Sequence, residues 1–201
     1  MRHIDATQTP LWSLVSGLNL LLSQDIDDDA VCCAVVAKRL RRALRADWLP
    51  PEARRSADDT YQRHLLYEDE AGRFSVGSFV WKPGQATPVH DHTGWGVVGV
   101  VDGELVSENF APDPEGRLAQ TSVVALKPGA TTWLFPAAGD IHRIVNPSTR
   151  NTAISIHVYG APFAAVCRNR YGLETNMAPA AALPSAADGI RAAPARSLSR
   201  G

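Results

Sequence analysis

The stretch RFSVGSFVWKPG, residues 73–84, opens the part of the chain that decides the fold. Short runs rich in β-branched and aromatic residues follow it and alternate with Gly/Pro turn signals, as in GVVGVVDG (residues 96–103) and SVVALKPG (residues 122–129). Runs of this kind continue to NTAISIHVYG, residues 151–160. Strands spaced about 8–12 residues apart with such punctuation are typical of an antiparallel sandwich or barrel, not of a βαβ sheet. The sequence therefore predicts a mainly β fold.

The segments that flank this stretch have a different composition. Thr9 and Pro10 form a helix-start signal before the apolar pattern LWSLVSGLNLLL, and a second helix is predicted over residues 30–49, ended by Pro50 and Pro51. Residues 177–201 are rich in Ala, Pro, Ser and Arg, which predicts a loosely ordered tail. We expect an N-terminal helical segment (1–56) packing on a barrel (57–176), followed by a C-terminal Ala/Pro-rich tail (177–201).

Composition excludes several classes of function. The 201 residues carry 20 Lys+Arg against 21 Asp+Glu, a net charge of −1, so we expect no nucleic-acid partner. The longest apolar run, Leu18 to Leu22, is far shorter than the roughly 20 residues of a membrane helix, and the N-terminal sequence lacks a signal-peptide core. The three cysteines form no disulfide pattern. These features predict a cytoplasmic protein without a membrane partner.

Three histidines are candidate metal ligands. His90 and His92 follow a Pro/Gly turn and precede a predicted strand, and residues i and i+2 of an extended segment project from the same face. His142 lies 50 residues further on, at the start of another predicted strand, and a barrel can bring it beside the first two. Three imidazoles without a carboxylate make a facial metal site, and imidazole ligands accommodate Fe, Zn, Cu or Ni. Asp91, between the first two histidines, is expected on the opposite face.

The spacing around these histidines follows the two motifs of the cupin superfamily. The matching positions are Gly84, His90, His92, Gly96 and Gly103 in the first motif, and Gly139, His142 and Asn146 in the second. Gly96 stands where the familiar glutamate ligand would be. The wider pattern TPVHDHTGWGVVGVVDGEL, GDIHRIVN and SIHVYG, within residues 60–172, resembles the thiol dioxygenases of bacterial type, the family of cysteine dioxygenase and 3-mercaptopropionate dioxygenase.

This resemblance implies a fold, a cofactor and a reaction. The fold would be a mainly β cupin barrel, a small jelly roll with N-terminal helices, and the cofactor a non-haem Fe(II) held by His90, His92 and His142. The reaction would add both atoms of O₂ to the sulfur of a small thiol acid, 3-mercaptopropionate or L-cysteine, to give the sulfinic acid. The alternatives are another metal-dependent cupin enzyme and a non-enzymatic cupin that binds a small ligand. We expect a monomer or a small homo-oligomer.

Three polar residues on one strand are candidate catalytic residues. Ser155, His157 and Tyr159 occupy alternate positions of ISIHVY and therefore share one face. Without the other motifs they would indicate only a wetted strand face. The resemblance implies a relay in which Tyr159 points its hydroxyl at the metal site, His157 orients the hydroxyl and Ser155 fixes the tautomer of the histidine. In mammalian-type cysteine dioxygenases a cysteine at the place of Gly96 is crosslinked to this tyrosine, so we expect no Cys–Tyr crosslink here.

The carboxylate of a thiol acid requires a cation or hydrogen-bond donors. The resemblance indicates Arg63 or its neighbour Gln62, since a one-residue slip exchanges the faces of the two, and also Arg168. Arg63 would suit bidentate binding of a carboxylate. The alternative for each arginine is an ordinary surface side chain.

Overall fold

The computed structural model of the protein describes residues 9–24, 26 and 28–172. The helices within these residues are α1 (Pro10–Leu22) and α2 (Asp29–Leu40). The strands are β1 (Gln62–Glu68), β2 (Ser75–Trp81), β3 (Val89–His92), β4 (Gly96–Asp102), β5 (Leu105–Pro112), β6 (Leu118–Leu126), β7 (Thr131–Leu134), β8 (His142–Val145), β9 (Ala153–Tyr159) and β10 (Cys167–Tyr171). Short 3-10 turns cover Arg41–Ala43, Ala46–Trp48, Pro51–Arg54, Pro136–Ala138 and Phe163–Ala165.

The strands form two five-stranded sheets, with the orders β1-β2-β9-β4-β7 and β10-β3-β8-β5-β6. Neighbouring strands in both sheets are antiparallel. The central strands β2 and β9 are buried along their whole length, because they carry apolar or hydrogen-bonded side chains on both faces. The prediction of a mainly β cupin barrel with N-terminal helices is confirmed.

The N-terminal helices begin where the sequence predicts. Thr9 is the N-cap of α1, its hydroxyl accepts a hydrogen bond from the Trp12 N–H, and Pro10 takes the first position. The Asp28 carboxylate caps α2 by accepting bonds from the N–H groups of Ala30 and Val31. The buried faces of both helices join strands of the first sheet in one hydrophobic cluster. Burial of this shared apolar face holds the helical segment on the barrel.

The predicted end of the second helix is wrong. The helix stops at Leu40 and continues only as 3-10 turns, well before Pro50. Leu44 has φ −78° and ψ 62°, outside the helical region. The Ala43 carbonyl accepts bonds from the Arg45 N–H and the Trp48 indole instead of serving an α-helical turn. Hydrogen bonds from nearby residues thus replace the helical ladder, which the apolar and basic pattern did not reveal.

Two further expectations concern the ends and the surroundings of the chain. The predicted tail, residues 177–201, lies outside the described residues, and the three-part division of the chain stays a prediction. None of the helices described here is both long enough and apolar enough to cross a membrane.

Candidate metal centre

The structure brings together the three histidines predicted as ligands. His90 and His142 are direct cross-strand partners on β3 and β8, and His92 lies two residues along β3 on the same face. The ring centroids of the three are 4.7, 4.8 and 5.0 Å apart. One nitrogen of each ring lies within 4.8 Å of the others, so a single ion between them would be within reach of all three.

The neighbours of two of these rings leave the same nitrogen free for a metal ion. The Nδ1 atom of His90 lies 3.0 Å from the Pro88 carbonyl, and that of His92 lies 3.2 Å from Asp140 Oδ2. Both Nδ1 atoms face acceptors only, so each carries the proton and leaves Nε2 free. Asp140 also accepts the His92 backbone N–H at 2.8 Å. Carboxylate or carbonyl partners of this kind hold ligand histidines in one orientation.

The electrostatics of the site keep His90 and His142 uncharged. Burial, followed by the effect of nearby His92, lowers the pKa of His90 from 6.5 to about 4. Burial and the adjacent histidines lower the pKa of His142 well below its ordinary value. Metal ions bind the neutral form of histidine, so a proton need not be displaced near neutral pH. A donor set of three imidazole nitrogens fits a first-row transition metal and fits Ca²⁺ or Mg²⁺ poorly.

Beside this cluster, the three polar side chains of β9 form a hydrogen-bonded relay. Ser155 Oγ lies 2.8 Å from His157 Nε2, and His157 Nδ1 lies 2.7 Å from the Tyr159 hydroxyl. The Tyr159 ring stacks on His92, with 5.9 Å between centroids. Burial, followed by the nearby His92 and Arg63, lowers the pKa of His157. Burial raises the pKa of Tyr159, an increase that the positive charge of Arg63 only partly offsets. The imidazole is therefore neutral and the phenol is protonated.

Gly96, where this sequence differs from mammalian-type cysteine dioxygenases, lies against the ring of Tyr159. Gly96 is the cross-strand partner of Tyr159 on β4. A Cβ atom at Gly96 would lie 3.0 Å from Tyr159 Cδ1, closer than ordinary van der Waals contact. The absence of a side chain therefore gives the tyrosine ring its space.

A pocket opens between the two sheets and reaches both the histidine cluster and the relay. Its lining residues are Tyr61, Arg63, Phe79, Thr87, Pro88, His90, His142, Ile144, His157, Tyr159, Val166, Cys167 and Arg170. Of the three residues predicted to bind a carboxylate, Arg63 lies in this wall, whereas Gln62 and Arg168 do not. The Arg63 guanidinium lies 4.5 Å above the Phe163 ring and donates to the Phe163 carbonyl at 2.9 Å. Strand β1 thus turns Arg63 towards the pocket.

Arg168 is engaged elsewhere, by the aspartate between the two β3 histidines. Asp91 is buried, and its carboxylate accepts hydrogen bonds from Arg168, from Tyr171 and from both the backbone and the side chain of Asn169. Burial opposes ionisation of Asp91, but the bonds from Arg168, Asn169 and Tyr171 prevail and hold its pKa well below the ordinary value. We call these contacts the Asp91 clasp; they fasten β10 to β3.

Sequence reasoning missed several residues of the site. The alternation of side chains along a strand correctly predicted that Asp91 faces away from the histidines. Nothing in the sequence indicated its hydrogen-bond partners on β10, 77 to 80 residues away. Asp140 precedes His142 by two residues, yet its carboxylate is hydrogen-bonded to the ring of His92. Gly139, with φ 77°, makes the turn that leads into Asp140, and a glycine before a ligand motif was the available signal. Arg170 is a second cation in the pocket wall.

Comparison with known proteins agrees with this geometry. The family model for cysteine dioxygenase type I matches residues 21–171, about three quarters of the chain. The chain belongs to the cysteine dioxygenase type I family. The match includes the histidine cluster, the Ser155–His157–Tyr159 relay and the Asp91 clasp. The predicted membership of the thiol dioxygenase family is thereby confirmed.

Curated members of the cysteine dioxygenase type I family resemble the chain over part of their length. Cysteine dioxygenase type 1 of Homo sapiens is 28% identical over 106 residues, which cover 51% of this chain and 52% of the human protein. The Rattus norvegicus protein is 27% identical with the same coverage. The chain thus spans about half the length of the curated relatives it matches.

Solved structures that resemble the chain share a lower sequence identity with it. A conserved protein with a double-stranded β-helix domain from Klebsiella pneumoniae is 22% identical, with a TM-score of 0.44, covering 59% of this chain and 93% of the other. A cupin superfamily protein from Desulfitobacterium hafniense is 14% identical, also with a TM-score of 0.44, covering 58% of this chain and 93% of the other.

Proposed function

We propose that the protein is a non-haem iron(II) thiol dioxygenase that converts a small thiol acid to its sulfinic acid. The observation that carries this proposal is the pocket itself, whose wall contains both the histidine cluster and the relay. In the reaction both oxygen atoms of O₂ become bonded to sulfur and the thiol hydrogen is retained in the acid, so no external reductant is needed. Family membership supports the same class of reaction.

Different side chains of the pocket would bind the metal, bind the substrate and donate a hydrogen bond to the reacting groups. His90, His92 and His142 would hold the iron, which when bound supplies the redox chemistry that joins O₂ to sulfur. Arg63 would bind the substrate carboxylate, since its guanidinium lies in the pocket wall. Tyr159, kept protonated by burial, would donate a hydrogen bond to the reacting groups.

The charges of the pocket favour one of the two candidate substrates. Its wall contains two arginines, Arg63 and Arg170, and none of the lining residues is Asp or Glu. A carboxylate is therefore matched by cations, whereas the ammonium group of L-cysteine would meet no anionic side chain and two like charges. We therefore expect 3-mercaptopropionate, which lacks the amino group, to be preferred over L-cysteine.

The decisive experiment is oxygen consumption by protein loaded with one equivalent of iron(II), supplied separately with 3-mercaptopropionate and L-cysteine. We expect O₂ uptake that matches formation of the sulfinic acid, and a higher kcat/KM for 3-mercaptopropionate. Iron-loaded protein that consumes no O₂ with either thiol would refute the function and favour another metal-dependent cupin enzyme or a ligand-binding cupin. A higher kcat/KM for L-cysteine would refute only the charge argument.

Arg63→Gln tests the carboxylate contact. We expect the KM for the thiol acid to rise about tenfold to a hundredfold, because one charge-assisted pair is lost, while iron stays bound. Arg117→Gln is the matched control, since Arg117 lies on the far β5–β6 hairpin and pairs with Asp113. An unchanged KM in Arg63→Gln would leave Arg170, the second arginine of the wall, as the candidate. The absence of a Cys–Tyr crosslink, the cytoplasmic location and the monomeric or small oligomeric state stay predictions.

A further inference from the structure

The relay on β9 has a fourth member on the neighbouring strand. The indole Nε1–H of Trp81, on β2, donates to Ser155 Oγ at 2.9 Å, and both residues are fully buried. Trp81 is held in place by Tyr61, whose ring stacks on it at 4.6 Å and 20°, and by the Asn146 side chain, which donates to the Trp81 carbonyl at 2.9 Å. Four hydrogen-bonding groups thus run in series from Trp81 to Tyr159.

The chemistry of these groups gives the series a direction. An indole N–H can only donate, so Ser155 Oγ must accept from Trp81. The Ser155 proton then needs an acceptor, and within the described part of the chain the one at hydrogen-bonding distance is His157 Nε2, at 2.8 Å. A neutral imidazole that accepts at Nε2 carries its proton on Nδ1 and donates it to the Tyr159 oxygen, 2.7 Å away. The Tyr159 proton is left to point into the pocket.

The reverse direction leaves a buried donor without a partner. If Tyr159 donated to Nδ1, then Nε2–H would donate to Ser155 Oγ, which already accepts from Trp81. The Ser155 proton would then be buried without an acceptor among the described residues, a costly arrangement. In the forward direction the one proton without a protein acceptor is that of Tyr159, which faces the substrate pocket.

We propose that Trp81 is a positioning residue that sets the direction of the Ser155–His157–Tyr159 relay, so that Tyr159 acts as a hydrogen-bond donor towards the substrate and not as a donor to His157. The indole N–H prevents the Ser155 hydroxyl from turning its proton towards β2, and donation from Trp81 strengthens Ser155 as a donor. The aromatic stack on Tyr61 keeps the indole in this position. The benefit to catalysis rests on the function proposed above, whereas the direction of the relay does not.

The tautomer of His157 tests the direction without any turnover. Ring nitrogen shifts in two-dimensional ¹⁵N–¹H NMR spectra of full-length, zinc-substituted protein distinguish a protonated from an accepting nitrogen. The His157 signals are assigned by their loss in His157→Gln. We expect a proton on Nδ1 and none on Nε2. A proton on Nε2 in the wild-type protein would overturn the proposal, whatever the thiol activity.

Trp81→Phe removes the indole N–H while keeping an aromatic ring. We expect a mixture of His157 tautomers and roughly a tenfold lower kcat, with KM and bound iron unchanged. Trp48→Phe is the matched control, because Trp48 also loses an indole hydrogen bond, to the Ala43 carbonyl, but lies in the N-terminal segment. An unchanged tautomer in Trp81→Phe would overturn the role of Trp81. An Nδ1–H tautomer in a protein without thiol activity would support the relay direction and refute the proposed function.

Discussion

Replacing Asp91 with asparagine should release β10 from the barrel. Four of the bonds in the Asp91 clasp end on Oδ2, and the fifth, from the Asn169 backbone N–H, ends on Oδ1. The asparagine amide can present its oxygen to one of these two sides only, and its NH₂ group then faces donors on the other. If the amide oxygen serves the Oδ2 side, the Asn169 N–H is left without an acceptor.

The expected magnitude is about 2 kcal/mol. The orphaned Asn169 N–H costs about 2 kcal/mol. Loss of the charge attraction to Arg168 adds little, because that side chain is 49% exposed and screened by solvent. Because about 1.4 kcal/mol corresponds to a tenfold change in an equilibrium constant, β10 should open about thirtyfold more often.

Hydrogen exchange measured by mass spectrometry on peptides covering residues 163–172 reports this opening directly. We expect roughly a thirtyfold loss of protection there, an unchanged metal content and a raised KM, since Cys167 and Arg170 of β10 line the pocket. Asp58→Asn is the control, because Asp58 forms an exposed ion pair with Lys82. Protection of β10 that stays within about threefold of wild type would refute the clasp reasoning.

The stabilisation that the Asp91 clasp gives to β10 also depends on pH. The pKa of Asp91 is lowered in the folded protein, whereas an unfolded aspartate titrates near about 3.9. Its stabilisation is therefore fully present above about pH 4 and is lost as the pH falls through the lowered pKa. Protection of β10, expressed relative to the intrinsic exchange rate at each pH, should fall below about pH 4 in the wild-type protein, and this fall should be weaker in Asp91→Asn.

Three substitutions test the metal centre and the relay. Asp140→Asn should weaken metal binding about tenfold to a hundredfold in competition titrations, because His92 loses its charged partner; unchanged affinity would contradict that role. His142→Ala should lose stoichiometric iron in metal analysis, and full occupancy would show that a different third ligand is used. Tyr159→Phe should keep iron while kcat falls about a hundredfold, since the phenol acts beside the metal; loss of iron would contradict that placement.

The histidine cluster and the relay could be predicted from the sequence because both depend on local alternation. His90 and His92 share a face because they are two residues apart in a strand, and the same holds for Ser155, His157 and Tyr159. The third ligand, His142, required the additional knowledge that a barrel pairs its strand with β3. The motif resemblance supplied that knowledge, and the register of His90 with His142 agrees with it.

The contacts that tune the site could not be predicted, because they join residues distant in sequence through side chains with many possible partners. The bond from Trp81 to Ser155 spans 74 residues, and the contact of Asp140 with His92 spans 48. The choice between Arg63 and Gln62 depended on the register of β1, which contains an irregularity between Leu65 and Tyr67. Composition and periodicity do not specify such a feature.

The alternation of β3 separates two tasks that a single short strand performs. On one face, His90 and His92 project towards the candidate metal, and on the other, Asp91 holds the strand that carries Cys167 and Arg170 into the pocket wall. A change at Asp91 therefore acts first on the wall, whereas a change at Asp140 acts first on the orientation of a ligand. Because β10 pairs with β3 through Cys167 opposite His92 and Arg170 opposite His90, the wall is positioned by the same backbone that positions the ligands. The part of the pocket wall that β10 contributes is thus held in register with two of the three candidate ligands by strand β3.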